Sequence, residues 1–340
     1  MIKLIHLNAA EYEQAVLDAG LALPVEQTAA WASYENTVPD RHFWGGFAIQ
    51  RDDELAGFVS FIDYLTHGYH YLRSHHAPIY VGTPTPEQER EVLLGIAEEV
   101  HRRDRKVVFC RLAVAHDLDI CEPVLSTVPY DTTVVVDLTG GEEAIIGRMK
   151  KRGRRDVRKA LRESPIICTE ETEAAGRDFS EFYEVMVETG ERDGFSPAPK
   201  EDYENFIRKL GPEHVRVYAG RLEDGTLLNW GIDTISGEHA VHYYAAMRNG
   251  AGRQLVADKL LLFELCDLGE HGCTSMDLMG IGSEFSPSIM GLNTFKTKFA
   301  QDTVAVAPDR DLPIRRAFYK ALQLGKAVRD RRRAQAGGDE

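Results

Sequence analysis

Residues 148–162, RMKKRGRRDVRKALR, place nine basic side chains against a single acid, Asp156, in a chain that is otherwise acidic. The whole protein carries 54 Asp plus Glu and 40 Lys plus Arg, a net charge of −14. Arg148, Arg152, Arg155, Lys159 and Arg162 recur at intervals of three and four, so they form one row on a helix and repel by a few tenths of a kcal/mol per pair. Lys151 and Arg158 widen the row. Most charge runs are solvated faces. Here no Glu is interleaved with the bases, and the row reads as a surface for an anion: RNA phosphate, a diphosphate or an anionic membrane. The acidic total excludes a protein that coats nucleic acid with its whole surface, so the anion must be held locally.

A second candidate for anion chemistry is Met247-Arg248-Asn249-Gly250-Ala251-Gly252. It nearly fits the (Gln/Arg)-x-x-Gly-x-Gly loop whose backbone N–H groups cradle a coenzyme A pyrophosphate at a helix N-terminus. Only its first position, Met247, departs. Glycines before a helix are more often a simple turn. Metal chemistry is not expected: Cys110, Cys121, Cys168, Cys266 and Cys273 form no Cys-x-x-Cys pair, and the histidines lack ligand spacing. The thiols read as buried and reduced. Another basic cluster, Arg315-Arg316, Lys320, Lys326, Arg329 and Arg331 to Arg333, closes the chain, and its tail QAGGDE is expected to be disordered.

These residues need elements to position them. At 340 residues the chain exceeds what one core usually supports, so two units are expected. Thr85-Pro86-Glu87-Gln88 announces a helix, with Val92, Leu93, Ile96, Ala97 and Val100 on its apolar face, followed by the strand KVVFCRLAV. GGFAIQ and ELAGFVSFI flank a hairpin turn at Arg51-Asp52-Asp53. The grammar repeats downstream: HVRVYAG, LLNWGIDTI and AVHYYAA read as antiparallel strands, RQLVADKLLLFELCDLGEHG as a helix and TSMDLMG as a strand. The inward face of that helix is expected to carry Leu255, Val256, Lys259, Leu260, Phe263 and Cys266. Both halves thus look like one α+β unit used twice. Between them DTTVVVDL reads as a strand, and Ile146, Met149, Gly153, Val157 and Ala160 trace the apolar stripe of the basic helix. No run approaches the roughly 20 apolar residues of a membrane span, and no signal peptide is evident, which predicts a cytoplasmic protein.

Several stretches together carry a resemblance: RRDVRKALRES, EFYEVMVETGERDGF, VHYYAAM, SMDLMGIG and GLNTFKTKF. Over about residues 140–320 the chain resembles the FemABX family, transferases that build peptidoglycan cross-bridges from aminoacyl-tRNA, in its compact form without a coiled-coil insertion. The resemblance implies two tandem GNAT-like units with central mixed sheets, packed face to face. The first would span 1–144 and bind the acceptor, completed by 308–334; the second would span 145–307 and face the aminoacyl-tRNA. It implies a monomeric cytoplasmic enzyme, with peripheral contact to the inner membrane leaflet allowed, that moves an amino acid from tRNA to an amine of a nucleotide- or lipid-linked muropeptide. No cofactor is required, because the aminoacyl ester is already activated; alignment and oxyanion stabilisation suffice.

Residue by residue, Lys296 matches the family lysine assigned to the reacting carbonyl or the tRNA's terminal nucleotide, with Phe295 packed beside it. Arg192 fits a position that contacts precursor phosphates, for which its bidentate fork is suited; the competing reading is a charge that complements a helix C-terminus. Tyr243 and Tyr244 alternate faces of a strand, so one is expected in the core and the other on the cleft. Lys151, Arg152, Arg155, Arg158, Lys159 and Arg162 are the expected tRNA contacts. Trp31, in QTAAW, matches the family's opening motif, although the lysine that often follows it is absent. The family's Arg-Gly-Pro appears only as His76-Ala77-Pro78. These departures make a small-molecule acceptor in a specialised pathway the nearest alternative. An acyl-CoA N-acyltransferase is the chief rival, and an RNA-binding adaptor without catalysis the third possibility.

Overall fold

The computed structural model describes residues 1–336, with side chains through Arg331. The predicted disorder of the tail therefore falls largely outside the described residues, as do the side chains of Arg332 and Arg333. Among the described residues the backbone forms two seven-stranded mixed sheets, each with its own helices, in two compact units.

The first unit takes residues 1–129 and the chain from Ala307 onward. Its strands are β1 (Ile2–Leu7), β2 (Arg41–Arg51), β3 (Glu54–Thr66), β4 (Tyr69–Arg73), β5 (Ile79–Tyr80), β6 (Val107–Ala113) and β14 (Asp309–Pro313), ordered β1-β2-β3-β4-β6-β14 with β5 on β3. Helices α1 (Ala9–Asp18), α2 (Ala29–Glu35), α3 (Pro86–Arg103) and α11 (Arg316–Ala336) complete it. The capping box predicted for α3 forms: Gln88 N–H donates to the Thr85 hydroxyl at 3.3 Å, and Thr85 N–H to Gln88 Oε1 at 2.9 Å. Val92, Leu93, Ile96 and Val100 are buried on its inner face against Phe47, Phe61, Leu72 and Leu112. The β2–β3 turn places Asp52 and Asp53 at φ +52° and +67°, the left-handed geometry that matches strand twist in a tight hairpin. At the far side Arg111 and Asp311, both with fully buried side chains, form a bidentate pair at 2.7 and 3.0 Å that ties β6 to β14. Tyr319 on α11 donates to the same carboxylate at 3.0 Å.

The second unit spans residues 130–306. Its strands are β7 (Thr132–Asp137), β8 (Ile167–Glu170), β9 (Val215–Arg221), β10 (Leu227–Ser236), β11 (His239–Met247), β12 (Ser275–Gly280) and β13 (Val304–Ala305), ordered β13-β7-β12-β11-β10-β9-β8. Its helices are α4 (Glu142–Arg148), α5 (Lys151–Glu163), α6 (Thr172–Arg177), α7 (Ser180–Asp193), α8 (Lys200–His214), α9 (Val256–Glu270) and α10 (Asn293–Lys296). The expected boundary at 144/145 lies too late, because DTTVVVDL pairs with β12 and β13 of this sheet and none of its residues pairs with the first. Both units share one order, β2-β3-β4-α3-β6 and β9-β10-β11-α9-β12, in which the helix links two parallel strands while the hairpins are antiparallel. Helix α9 begins three residues after its predicted start: Ala251–Gln254 form a 3₁₀ turn and Leu255 is left-handed, φ +58°. Leu261, Leu262, Leu265 and Leu268 join the predicted Val256 and Leu260 in the core, together with two acids, Asp258 and Glu264.

Candidate active site

Strands β11 and β12 pair only through His239–Val241 and Ser275–Asp277, and their ladder stops there. The β12–β7 register also slips between Asp277 and Gly280, where Met279 takes φ +64°. Asp277 pins this slip, accepting from Met279 N–H at 2.7 Å and from the Thr133 hydroxyl. The Gly280 carbonyl is left to accept from Lys296 Nζ at 3.0 Å. Burial pushes the Lys296 ammonium down to about 8, against the pull of Asp277. The preceding residue, Phe295, packs on Phe299 at 5.3 Å between ring centroids and faces a cleft of about 320 Å³. That cleft is also lined by Thr189 and Arg192 of α7, His242 and Met247 of β11, and Leu260 and Glu264 of α9.

The basic stretch docks directly on the segment that carries Lys296. It is two helices rather than one: Met149 and Lys150 are extended, so α4 stops and α5 restarts. The break is held from the Lys296 side, with Lys150 N–H donating to Lys298 O at 3.1 Å and Gln301 to Met149 O at 2.8 Å. The predicted stripe does face inward: Ile146, Met149, Gly153, Val157 and Ala160 are all buried. Gly153 is required, since a Cβ there would sit 2.2 Å from Lys298 O. Gly153→Ala is therefore expected to cost about 1–3 kcal/mol through overpacking, measured by thermal or urea unfolding.

The expectation that the basic row lacks compensating acids is corrected. Arg155 forks onto Asp156 at 2.8 and 3.0 Å and Arg152 reaches it at 3.4 Å. Arg158 lies 3.5 Å from Glu143 and Lys159 3.6 Å from Glu163. These pairs are solvent-exposed on their basic side and worth about 0–1 kcal/mol each, so a phosphate can replace them. The outer face still carries a large excess of positive charge.

The strand alternation expected at Tyr243 and Tyr244 fails. A bulge opposite Ile232/Asp233 pairs Asp233 with His242 and Ile232 with Tyr244, which leaves Tyr243 as the extra residue. Both tyrosine rings consequently pack on Phe206 of α8, each at 5.7 Å, and His242 takes the cleft position. Its Nδ1 lies 2.8 Å from Asp233 Oδ1 and 3.2 Å from Glu264 Oε2. Both carboxylates are essentially inaccessible, at 0% and 1% exposure. Burial opposes charge on the imidazole, but Glu264 and Asp233 outweigh it and hold His242 above its usual range. Burial and the neighbouring Glu264 push Asp233 up. The donor atoms of the three residues lie within 4.8 Å of one another, a spacing that could admit a cation. In this structure, however, Nδ1 is engaged by Asp233, and we read the trio as a proton-holding cluster. Sequence reading missed it. The available signal was two acids inside otherwise apolar runs, Asp233 in LLNWGIDTI and Glu264 in LLLFELC.

Other expected residues are placed as follows. Arg192 ends α7 and spends its fork on Asp193 at 2.9 and 3.0 Å, while Nη1 donates to Met247 O at 2.7 Å on the cleft wall. Trp31 is 3% exposed in the first unit, edge-on to Tyr34 and His75. The neighbouring Gln27 is buried and donates to His75 O at 2.7 Å, so QTAAW acts there as a packing motif. In the glycine loop, Glu188 accepts from Asn249 N–H at 2.6 Å, and Ala251, Arg253 and Leu255 N–H groups close turns within the loop. The cysteines are unpaired, and burial raises Cys110, Cys121, Cys168, Cys266 and Cys273 away from reactive thiolate character. No helix of the described residues is long and apolar enough to cross a membrane.

No family model and no curated protein matches the sequence. Solved structures do. The crystal structure of FemX superposes with a TM-score of 0.72 at 16% identity, over 94% of this chain and 99% of that one. L-PGS from Bacillus licheniformis matches at 0.54 and 15% identity, over 93% and 95%. A tandem GNAT protein from the clavulanic acid biosynthesis pathway matches at 0.53 and 10% identity, over 92% and 100%. At these identities the likeness is one of fold, and the repeated β2-β3-β4-α3-β6 and β9-β10-β11-α9-β12 order agrees with it: the chain has the FemX-like fold, an α+β architecture of two GNAT-like units in tandem.

Proposed function

We propose that the protein is an aminoacyltransferase that moves an amino acid from aminoacyl-tRNA to an amine of a peptidoglycan precursor. The carrying observation is the coupling of two features: a half-buried lysine at the splayed end of β12, and a basic helix seated on that lysine's own segment through Gly153, Lys150 and Lys298. The amine attacks the ester carbonyl, a C–N bond forms, and the carbonyl electrons move to oxygen. Lys296 is the fixed cation for that oxyanion, and the C–O bond to the tRNA ribose then breaks. Such preorganised donors act without reorganisation in a water-poor site. The likeness to FemX supports this reading over others on the same fold.

The acyl-CoA rival loses its main support at the 247–252 loop. A pyrophosphate cradle needs free N–H groups, whereas those of Met247, Arg248, Asn249 and Ala251 are spent on Thr189 Oγ1, Leu228 O, the Glu188 carboxylate and Arg248 O. The experiment is a donor-by-acceptor matrix with charged tRNA or acetyl-CoA, and a nucleotide-linked muropeptide, a lipid-linked muropeptide or a small-molecule amine. Amide formation from charged tRNA on a muropeptide is expected; formation from acetyl-CoA alone overturns the proposal. The double reversal Arg155→Glu, Lys159→Glu is expected to weaken tRNA binding and lower the slope of log K against log salt by about one per lost phosphate contact, read by filter binding across a salt series.

A further inference from the structure

We propose that His242 is the proton donor to the leaving oxygen of the acyl donor, with Asp233 and Glu264 as positioning residues behind it. This rests on the aminoacyl-ester reading above and specifies the leaving group that the site is built for. Three elements converge to make the device: β10 supplies Asp233, β11 supplies His242 and α9 supplies Glu264. The bulge opposite Ile232/Asp233 turns the imidazole to the cleft. Gly231 admits it, since a Cβ there would lie 2.3 Å from Glu264 Oε1 and 3.2 Å from His242 Cε1.

Nδ1 faces both carboxylates, while Nε2 has no hydrogen-bond partner among the described residues. His242 lines the same cleft as Phe295, the neighbour of Lys296. Asp233 Oδ2 is buried without a hydrogen-bond partner and Glu264 Oε2 has the Nδ1 contact at 3.2 Å alone, so charge balance favours a protonated ring between the two carboxylates. An imidazolium so held offers Nε2–H to whatever occupies the cleft.

An alkoxide is a poor leaving group and needs a proton as its C–O bond breaks; a thiolate leaves without one. In the proposed step the tetrahedral intermediate collapses, the C–O bond breaks with its electron pair on the ribose oxygen, and that oxygen takes the Nε2 proton. The neutral imidazole then receives the proton shed by the new amide nitrogen. The imidazolium is restored and no net proton is consumed. Positioned acids of this kind contribute about 10²–10⁴-fold.

The test compares two donors bearing the same aminoacyl group, the charged tRNA and the corresponding aminoacyl-coenzyme A, on a muropeptide acceptor. The amino acid is first found by screening tRNA charged with each in turn. His242→Gln is expected to lower turnover from the ester by about 10²–10⁴-fold while the thioester loses less than about tenfold. Asp233→Asn should shift the same ester-to-thioester ratio in the same direction, a readout that loss of stability alone does not move. Should His242→Gln fail to fold, the double variant Asp233→Asn, His242→Gln removes a buried charge with the ring and carries the ratio measurement. Equal losses on both donors overturn the role of His242, as does wild-type activity lost to a chelator and regained with Zn²⁺. Wild-type enzyme that turns over acetyl-CoA but no charged tRNA overturns the donor reading itself.

Discussion

Lys296→Ala is expected to lower kcat for transfer from charged tRNA by about 10²–10³-fold, the usual effect of removing one oxyanion donor. KM for the tRNA should change little, because α5 and its basic face remain. Single-turnover kinetics at saturating tRNA measure this, and an unchanged rate removes Lys296 from the mechanism. The pH profile supplies a second reading of the same group. Burial lowers Lys296 to about 8, so it is charged below that pH and loses its proton above it. Consequently the ratio of wild-type kcat/KM to that of Lys296→Arg, in which the ionisation of the acceptor amine cancels, should fall as pH rises through about 8. Lys296→Arg keeps its charge across this range and supplies the reference in whatever activity it retains.

Asp311→Ala should destabilise the first unit by about 3–5 kcal/mol, because it strands Arg111 as a buried cation without its partner. Tyr319 also loses one of its two acceptors and keeps Pro123 O at 3.1 Å. For a unit of this size the loss corresponds to a drop in melting temperature of about 6–20 °C, read by calorimetry. The paired replacement Arg111→Met, Asp311→Leu should recover most of it, since it removes both charges together. A single variant as stable as wild type would show that the buried pair is not what holds β14 and α11 on β6.

Much of the fold is written locally and was legible as such. The Thr85–Gln88 box, the Asp52–Asp53 turn and the apolar stripe from Ile146 to Ala160 depend on neighbours within a few residues, and each forms where its pattern places it. What escaped reading depends on pairing at a distance. The unit boundary moved because DTTVVVDL looks the same whichever sheet it joins. The tyrosines moved because strand alternation assumes an uninterrupted ladder, and a bulge has no signature in YY itself. The acid–histidine cluster combines both difficulties, since Asp233 and His242 meet only through that bulge and Glu264 only through the docking of α9. The basic helix was legible in composition, while its acid partners Glu143 and Glu163 stood just outside the stretch that drew attention.

The bidentate pair between Arg111 and Asp311 also sets a timetable. On the ribosome Arg111 emerges 200 residues before its partner, an interval of about 10–40 s at 5–20 residues per second. During that time the whole of the second unit, residues 130–306, is synthesised and can fold, while the first lacks its last strand and keeps a cation at an unfinished sheet edge. The unit that begins the chain is therefore the one that matures last, and a nascent-chain protease assay should find residues 130–306 protected before residues 1–129.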